Sequence, residues 1–74
     1  MLEKHSVTIA GHKTSFTLEP EFWAELKRIA TERDQSVASI VASLDKEKDG
    51  NLSSRLRVWV LNQLRPSTSK FHSL

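Results

Sequence analysis

The sequence contains no cysteine among its 74 residues, which excludes disulfides and every thiolate metal site. With only 2 glycines and 2 prolines, a collagen-like or low-complexity chain is excluded as well. No apolar run approaches the ~18 residues of a membrane span. The start, Met1-Leu2-Glu3-Lys4-His5, lacks the basic region and apolar block of a signal peptide. No membrane association and a cytoplasmic location are expected. There is no G-x-S-x-G, no phosphate-binding P-loop and no H-E-x-x-H, and so short a chain can barely wall a catalytic cleft. An enzyme is not expected, nor a cofactor. His5, His12 and His72 lack the close helical spacing of metal ligands, so no metal is expected either.

What is present is an ordinary globular composition, 38% hydrophobic and 27% charged. A core of this size rarely contributes more than ~3–5 kcal/mol. With disulfides and metal removed, a second chain is the remaining source of stability, and a homodimer is the expectation from size. The 11 Lys+Arg against 9 Asp+Glu leave a formal charge of +2, which permits nucleic-acid binding without requiring it.

Alternation at period two predicts a short strand at about 6–10, closed by Gly11, and a better one at about 13–18. In the second, Phe16 and Leu18 fall on one face and Lys13, Ser15 and Thr17 on the other. Pro20 suits the first turn of a helix at about 20–33, with Glu19, Glu21 and Glu25 near its positive end. Its apolar stripe is Phe22, Leu26, Ile29 and Ala30, widened by Trp23. Ser36 is a good cap for a second helix, about 36–45, with Val37, Ile40, Val41 and Leu44 on one side. The charged run Asp45 to Gly50 reads as exposed loop. Asn51 can cap a third helix, about 52–65, carrying Leu52, Leu56, Trp59, Val60 and Leu64. Val58 and Leu61 extend its apolar surface beyond one stripe. After Pro66, residues 66–74 read as a flexible tail with Phe71 and Leu74 as isolated apolar points. One domain, residues 5–64, is therefore expected.

The order strand, helix, helix over residues 13 to 44, with proline at the first joint and serine opening the second helix, resembles the ribbon-helix-helix family of bacterial DNA-binding proteins. The likeness is strongest in Gly11-His12-Lys13-Thr14-Ser15-Phe16-Thr17-Leu18-Glu19-Pro20-Glu21-Phe22-Trp23, followed by Asn51-Leu52-Ser53-Ser54-Arg55-Leu56-Arg57. With both segments it covers most of residues 5 to 64. The resemblance implies a mainly α fold with a short N-terminal β-ribbon, formed as an intertwined homodimer, with an additional C-terminal helix. It implies a transcriptional regulator whose ribbon enters the major groove of double-stranded DNA, Lys13, Ser15 and Thr17 reading bases. Ser36 and Val37, at a helix start, would approach phosphate, and His12 could touch phosphate from the turn. Phe16, Leu18, Phe22, Leu26, Ile40 and Trp59 would form the dimer core, the strand needing its mate to bury Phe16 and Leu18. Where many members carry a basic ribbon and a turn glycine, this chain has one lysine, two hydroxyl residues and Asp34, which implies weak discrimination between bases.

Two bland readings stay open. The alternation over 14–18 also fits a half-buried strand with a solvated outer face, and Arg55, Arg57 and Arg65 fit a solvated helix flank as well as a phosphate-contacting edge. A protein-interaction module of the same fold, binding a partner through the third helix and the tail as antitoxin-like members do, is the alternative function.

Overall fold

In the computed structural model, which describes residues 1–46 and 50–65, the chain runs β1 (Glu3–Ile9), β2 (His12–Leu18), α1 (Pro20–Glu32), α2 (Val37–Leu44) and α3 (Leu52–Leu64). The expected tail, 66–74, and the middle of the charged run, 47–49, lie outside the described residues. β1 and β2 form one antiparallel hairpin, with Ile9 opposite His12 and Glu3 opposite Leu18. Ala10 and Gly11 make the two-residue loop, with φ of 51° and 82°. Positive φ at both loop positions is the pattern of a type I′ turn, whose twist matches that of the flanking strands. β1 reaches back to Glu3 rather than beginning at Ser6, and it stops at Ile9 because Ala10 belongs to the turn. The strand partner decides this: β2 continues to Leu18, and the ladder carries Glu3, Lys4 and His5 with it.

The hairpin has two faces. His5, Val7 and Ile9 share one with Thr14, Phe16 and Leu18, and this face lies on the three helices. Phe16 is 3% exposed and Leu18 not at all. The expectation that these two side chains need a mate is therefore corrected: β1 supplies the pairing strand and α1, α2 and α3 supply the cover, all from one chain. Leu26, Ile29, Ala30, Ile40, Val41, Leu52, Leu56 and Val60 complete the buried cluster. Leu26 and Ile40 are thus buried within the chain as well, whereas Phe22 and Trp59 pack against the cluster half-buried.

Each helix is delimited by local chemistry. α1 starts on Pro20, whose missing N–H is harmless in the first turn. It ends in a Schellman motif, with the N–H of Gln35 donating to Ala30 O at 2.9 Å and that of Asp34 to Thr31 O at 3.1 Å. The motif needs a left-handed residue after the cap, and Asp34 supplies it at φ 55°. Ser36 caps α2 by accepting the Ser39 N–H at 3.0 Å. Asn51 stands at the N-cap of α3, but its side chain makes no capping hydrogen bond there. The expected exposure of the charged run also fails at its first residue. Asp45 ends α2, its N–H donating to Val41 O, and is 8% exposed; helix geometry carries it inward directly after Leu44.

Ala10 and Asp34 are the described non-glycine residues held at positive φ, where a left-handed Cβ costs ~1–2 kcal/mol. Ala10→Asn and Asp34→Gly are each expected to raise unfolding free energy by about 0.5–1 kcal/mol, after the extra chain entropy of glycine is deducted. The sites are far apart, so the gains should add. Urea denaturation midpoints check this, and a loss at either site contradicts the turn assignment.

Candidate nucleic-acid interface

Parity places Lys4, Ser6 and Thr8 of β1 with Lys13, Ser15 and Thr17 of β2 on the face turned away from the helices, paired Lys4 with Thr17, Ser6 with Ser15 and Thr8 with Lys13. All six are polar, none is acidic, and all but the half-buried Thr17 are exposed. Sequence reasoning found only the β2 half of this face. Lys4 was missed because the first strand was expected to begin only at Ser6, and Ser6 and Thr8, inside that expected strand, were not assigned to this face because only their pairing with Ser15 and Lys13 places them there. The two lysines sit diagonally, so neither faces the other directly across the ladder, where like charges destabilise.

Thr17 is engaged differently from its neighbours. Its backbone N–H donates to Ser53 Oγ of α3 at 2.9 Å, and the two hydroxyls stand 3.4 Å apart. In an antiparallel pair, backbone groups point alternately into and away from the ladder. Since the Thr17 N–H points away, those of Lys13 and Ser15 do too, and among the described residues they meet no backbone partner. β2 therefore has an edge that is closed by α3 at Thr17 and open at Ser15 and Lys13.

A second bond beside this edge removes an apparent obstacle. Glu19, at the joint of β2 and α1, would repel phosphate if it pointed across the ribbon. Its Oε1 instead accepts from Arg57 Nε of α3 at 2.9 Å. The Arg57 hydrogen bond holds the Glu19 carboxyl below its ordinary pKa. Ser53 and Arg57, one helical turn apart, thus fasten α3 to the end of the ribbon. Nothing nearby in the sequence signals these contacts, which join residues more than 30 positions apart.

The expected phosphate contacts are not gathered on this face. His12 falls on the helix side of the hairpin by parity, opposite Ile9, and is exposed there. Ser36 is exposed with its Oγ occupied by the Ser39 N–H, and Val37 is half-buried in the helical layer. His5, not singled out in the sequence for this role, stacks on Trp23 at 3.8 Å between centroids, with Phe16 tilted at 6.0 Å. Lys27 Nζ stands 5.3 Å from the same Trp23 ring. This aromatic group braces the hairpin on α1 and leaves the outer face free. Among the described residues, no helix is long and apolar enough to cross a membrane.

A comparison with protein families matches residues 2–64 to a model described as a ribbon-helix-helix domain. No curated protein and no solved structure gives a match. The match spans most of the chain, which belongs to the ribbon-helix-helix family. Members of this family are typically DNA-binding transcriptional regulators or antitoxins, and their domains are generally not enzymes.

The Glu19–Arg57 pair has a definite pH signature. Because the folded carboxyl has a lowered pKa, its contribution is present above the ordinary carboxylate pKa and lost as pH falls through the folded value. Glu19→Gln is expected to be less stable than the parent at pH 7, with the difference between their denaturation midpoints shrinking as pH falls below the ordinary carboxylate range. A difference that stays constant into acid contradicts the pairing.

Proposed function

We propose that this ribbon-helix-helix domain works as a dimeric DNA-binding protein, a transcriptional regulator that lays the outer face of its ribbon in the major groove. The observation that carries this reading is the outer face itself: two lysines and four hydroxyl side chains without a carboxylate. A two-stranded ribbon fits a major groove ~12 Å wide, where lysine donates to guanine and hydroxyls donate or accept at several bases. The open edge of β2 accommodates a second copy in antiparallel register, Lys13 of each chain opposite Ser15 of the other, so that the backbone groups left over in one chain are used in the pair. The two β2 strands then occupy the groove. The β1 strands, ~4.8 Å further out on each side, come over the phosphate rims.

In this arrangement Lys13, Ser15 and Thr17 meet bases and Lys4 meets phosphate. Thr17 is the weakest reader of the three, being half-buried and held by Ser53. The start of α2 at Ser36 and Val37 remains a proposed phosphate contact, the unbonded N–H groups of α2 suiting an anion, whereas His12, turned to the helix side of the hairpin, points away from the groove in this arrangement. Hydroxyl readers pair with more than one base, so modest sequence preference on a sizeable electrostatic base is the expected profile.

Fluorescence anisotropy with a duplex from the gene's own upstream region and with a scrambled duplex, each across a salt series, tests the proposal. The first duplex should bind more tightly, with log affinity falling linearly in log salt by ~0.9 per phosphate neutralised. Lys4→Ala should weaken both duplexes alike and flatten the slope by about 0.9 for each phosphate it leaves without a cation. Combined Lys13→Ala, Ser15→Ala and Thr17→Ala should abolish the preference while circular dichroism stays unchanged. Parental affinity and preference in that triple variant, or no binding of either duplex at low salt, overturns the reading.

A further inference from the structure

We infer that Ser53, at the start of α3, fixes the register in which two copies join their ribbons, and with it the spacing of the half-sites they read on DNA. The inference rests on the dimeric DNA-binding reading above. The hydrogen-bonding groups on the free edge of β2 belong to Lys13, Ser15 and Thr17, because successive residues of an antiparallel strand turn N–H and C=O alternately toward and away from the partner. Ser53 Oγ stands where a neighbouring strand would place a carbonyl. It accepts the Thr17 N–H at 2.9 Å, with the Thr17 hydroxyl 3.4 Å away. Leu52 and Leu56, 7% and 0% exposed, seat this part of α3 in the core, and Arg57 fastens the next turn to Glu19. The stop at Thr17 is thus part of the packed fold.

Symmetry leaves few ways to pair two such edges. Two identical antiparallel strands are centred on one residue, and hydrogen-bonded pairs form only among Lys13, Ser15 and Thr17 of the two chains. Centring on Ser15 would use all three, with Ser15 opposite Ser15 and Lys13 opposite Thr17. Centring on Phe16 or Thr17 also needs the Thr17 N–H, which Ser53 holds in each chain. Centring on Lys13 sets the two lysines face to face, where like charges destabilise. What remains is centring on Thr14, with Lys13 opposite Ser15 on both sides. There Gly11 of the second copy comes opposite Thr17, so the second strand has already ended in its turn and Ser53 keeps its place. Without Ser53, the register centred on Ser15 gains a hydrogen-bonded pair and moves the lysines apart. Each Lys13 then lies one residue, ~3.4 Å, further from the twofold axis, about one base-pair step. Ser53 is a positioning residue: it meets no base, yet the distance between the two lysines in the groove depends on it.

The chain has no cysteine, so single introduced cysteines report the register. Cα atoms stand ~4.5 Å apart where Thr14 faces Thr14 and ~5.5 Å apart where Ser15 faces Ser15, both within disulfide range. In the other register either self-pair becomes a diagonal of ~7–8 Å, too long to bridge. Thr14→Cys and Ser15→Cys chains are oxidised in a glutathione buffer, with and without a duplex from the gene's own upstream region, and covalent dimers are read on non-reducing gels. With Ser53 present, Thr14→Cys should cross-link and Ser15→Cys should not. Adding Ser53→Ala, or Ser53→Gly, which empties the position, should reverse the pattern, and Ser53→Thr, which keeps the hydroxyl, should preserve it. The inference is overturned if Ser15→Cys cross-links as well as Thr14→Cys in the presence of Ser53, or if the Thr14→Cys preference survives both Ser53→Ala and Ser53→Gly. Loss of both cross-links in those variants would make Ser53 a structural support only and overturns it too. No cross-link at either position with Ser53 present, with or without DNA, overturns the dimeric reading itself and the inference with it.

Discussion

Everything functional in this chain depends on the register of β1 against β2. Side chains alternate across a strand with period two, so a slip of one residue would send Phe16 and Leu18 to solvent and Lys13, Ser15 and Thr17 onto the helices. The two-residue turn at Ala10 and Gly11 sets that register at one end. Burial of Leu18, wholly enclosed, holds it at the other. The apolar face thereby fixes the position of the polar face without any contact made by the polar residues themselves. Packing beneath the sheet presents the hydroxyls and lysines above it.

The same hairpin changes what a second copy contributes. A ribbon made by two chains leaves each strand half-covered until they meet, and folding and association are then one event. Here a single chain pairs its own strands and encloses ten apolar side chains. What it leaves unfinished is backbone, at Lys13 and Ser15, rather than core. Association through that edge would add hydrogen bonds more than apolar burial, and hydrogen bonds exchanged with water contribute only ~0.5–1.5 kcal/mol each. A dimer held in this way is weaker than an intertwined one. DNA, by aligning two copies along one groove, would itself favour the pairing.

How much of this was legible in the sequence divides by the range of the interaction concerned. The turn at Gly11, the alternation of β2, Pro20 opening α1 and Ser36 capping α2 are local signals, readable within a few residues. The family resemblance rested on the same stretches together with the segment Asn51 to Arg57. Residues Glu3 to His5 gave no strand signal of their own, because only their pairing with Phe16, Thr17 and Leu18 makes them extended. The Ser53–Thr17 and Arg57–Glu19 contacts were invisible for the same reason, joining segments far apart in the chain. Asp45 was misread by composition: its place one step past Leu44 on α2 decided its burial, and the charges that follow it did not. Asp34, noted as a departure from glycine, sits in the left-handed position that glycine would fill, so the departure is one of residue and not of geometry.

The formal charge of +2 is a poor guide to the field at the ribbon's outer face, and the placement of the carboxylates explains why. Nine Asp and Glu are present. Glu25 and Glu32 are both engaged by Arg28 on the flank of α1, and Glu19 is held by Arg57. Glu3 lies on the helix side of the hairpin, 3.6 Å from His5 Nε2. Asp34 is committed to the end of α1 and Asp45 is buried. Glu21 lies in the first turn of α1. None of these described carboxylates stands on the ribbon's outer face, so its local field is set by Lys4 and Lys13 alone. Within a screening length of ~8 Å at physiological salt, that local arrangement would govern any contact of the ribbon with phosphate, and the near balance of the whole chain only the approach. Chains of equal net charge can therefore differ widely in affinity for DNA, according to where their carboxylates are pinned.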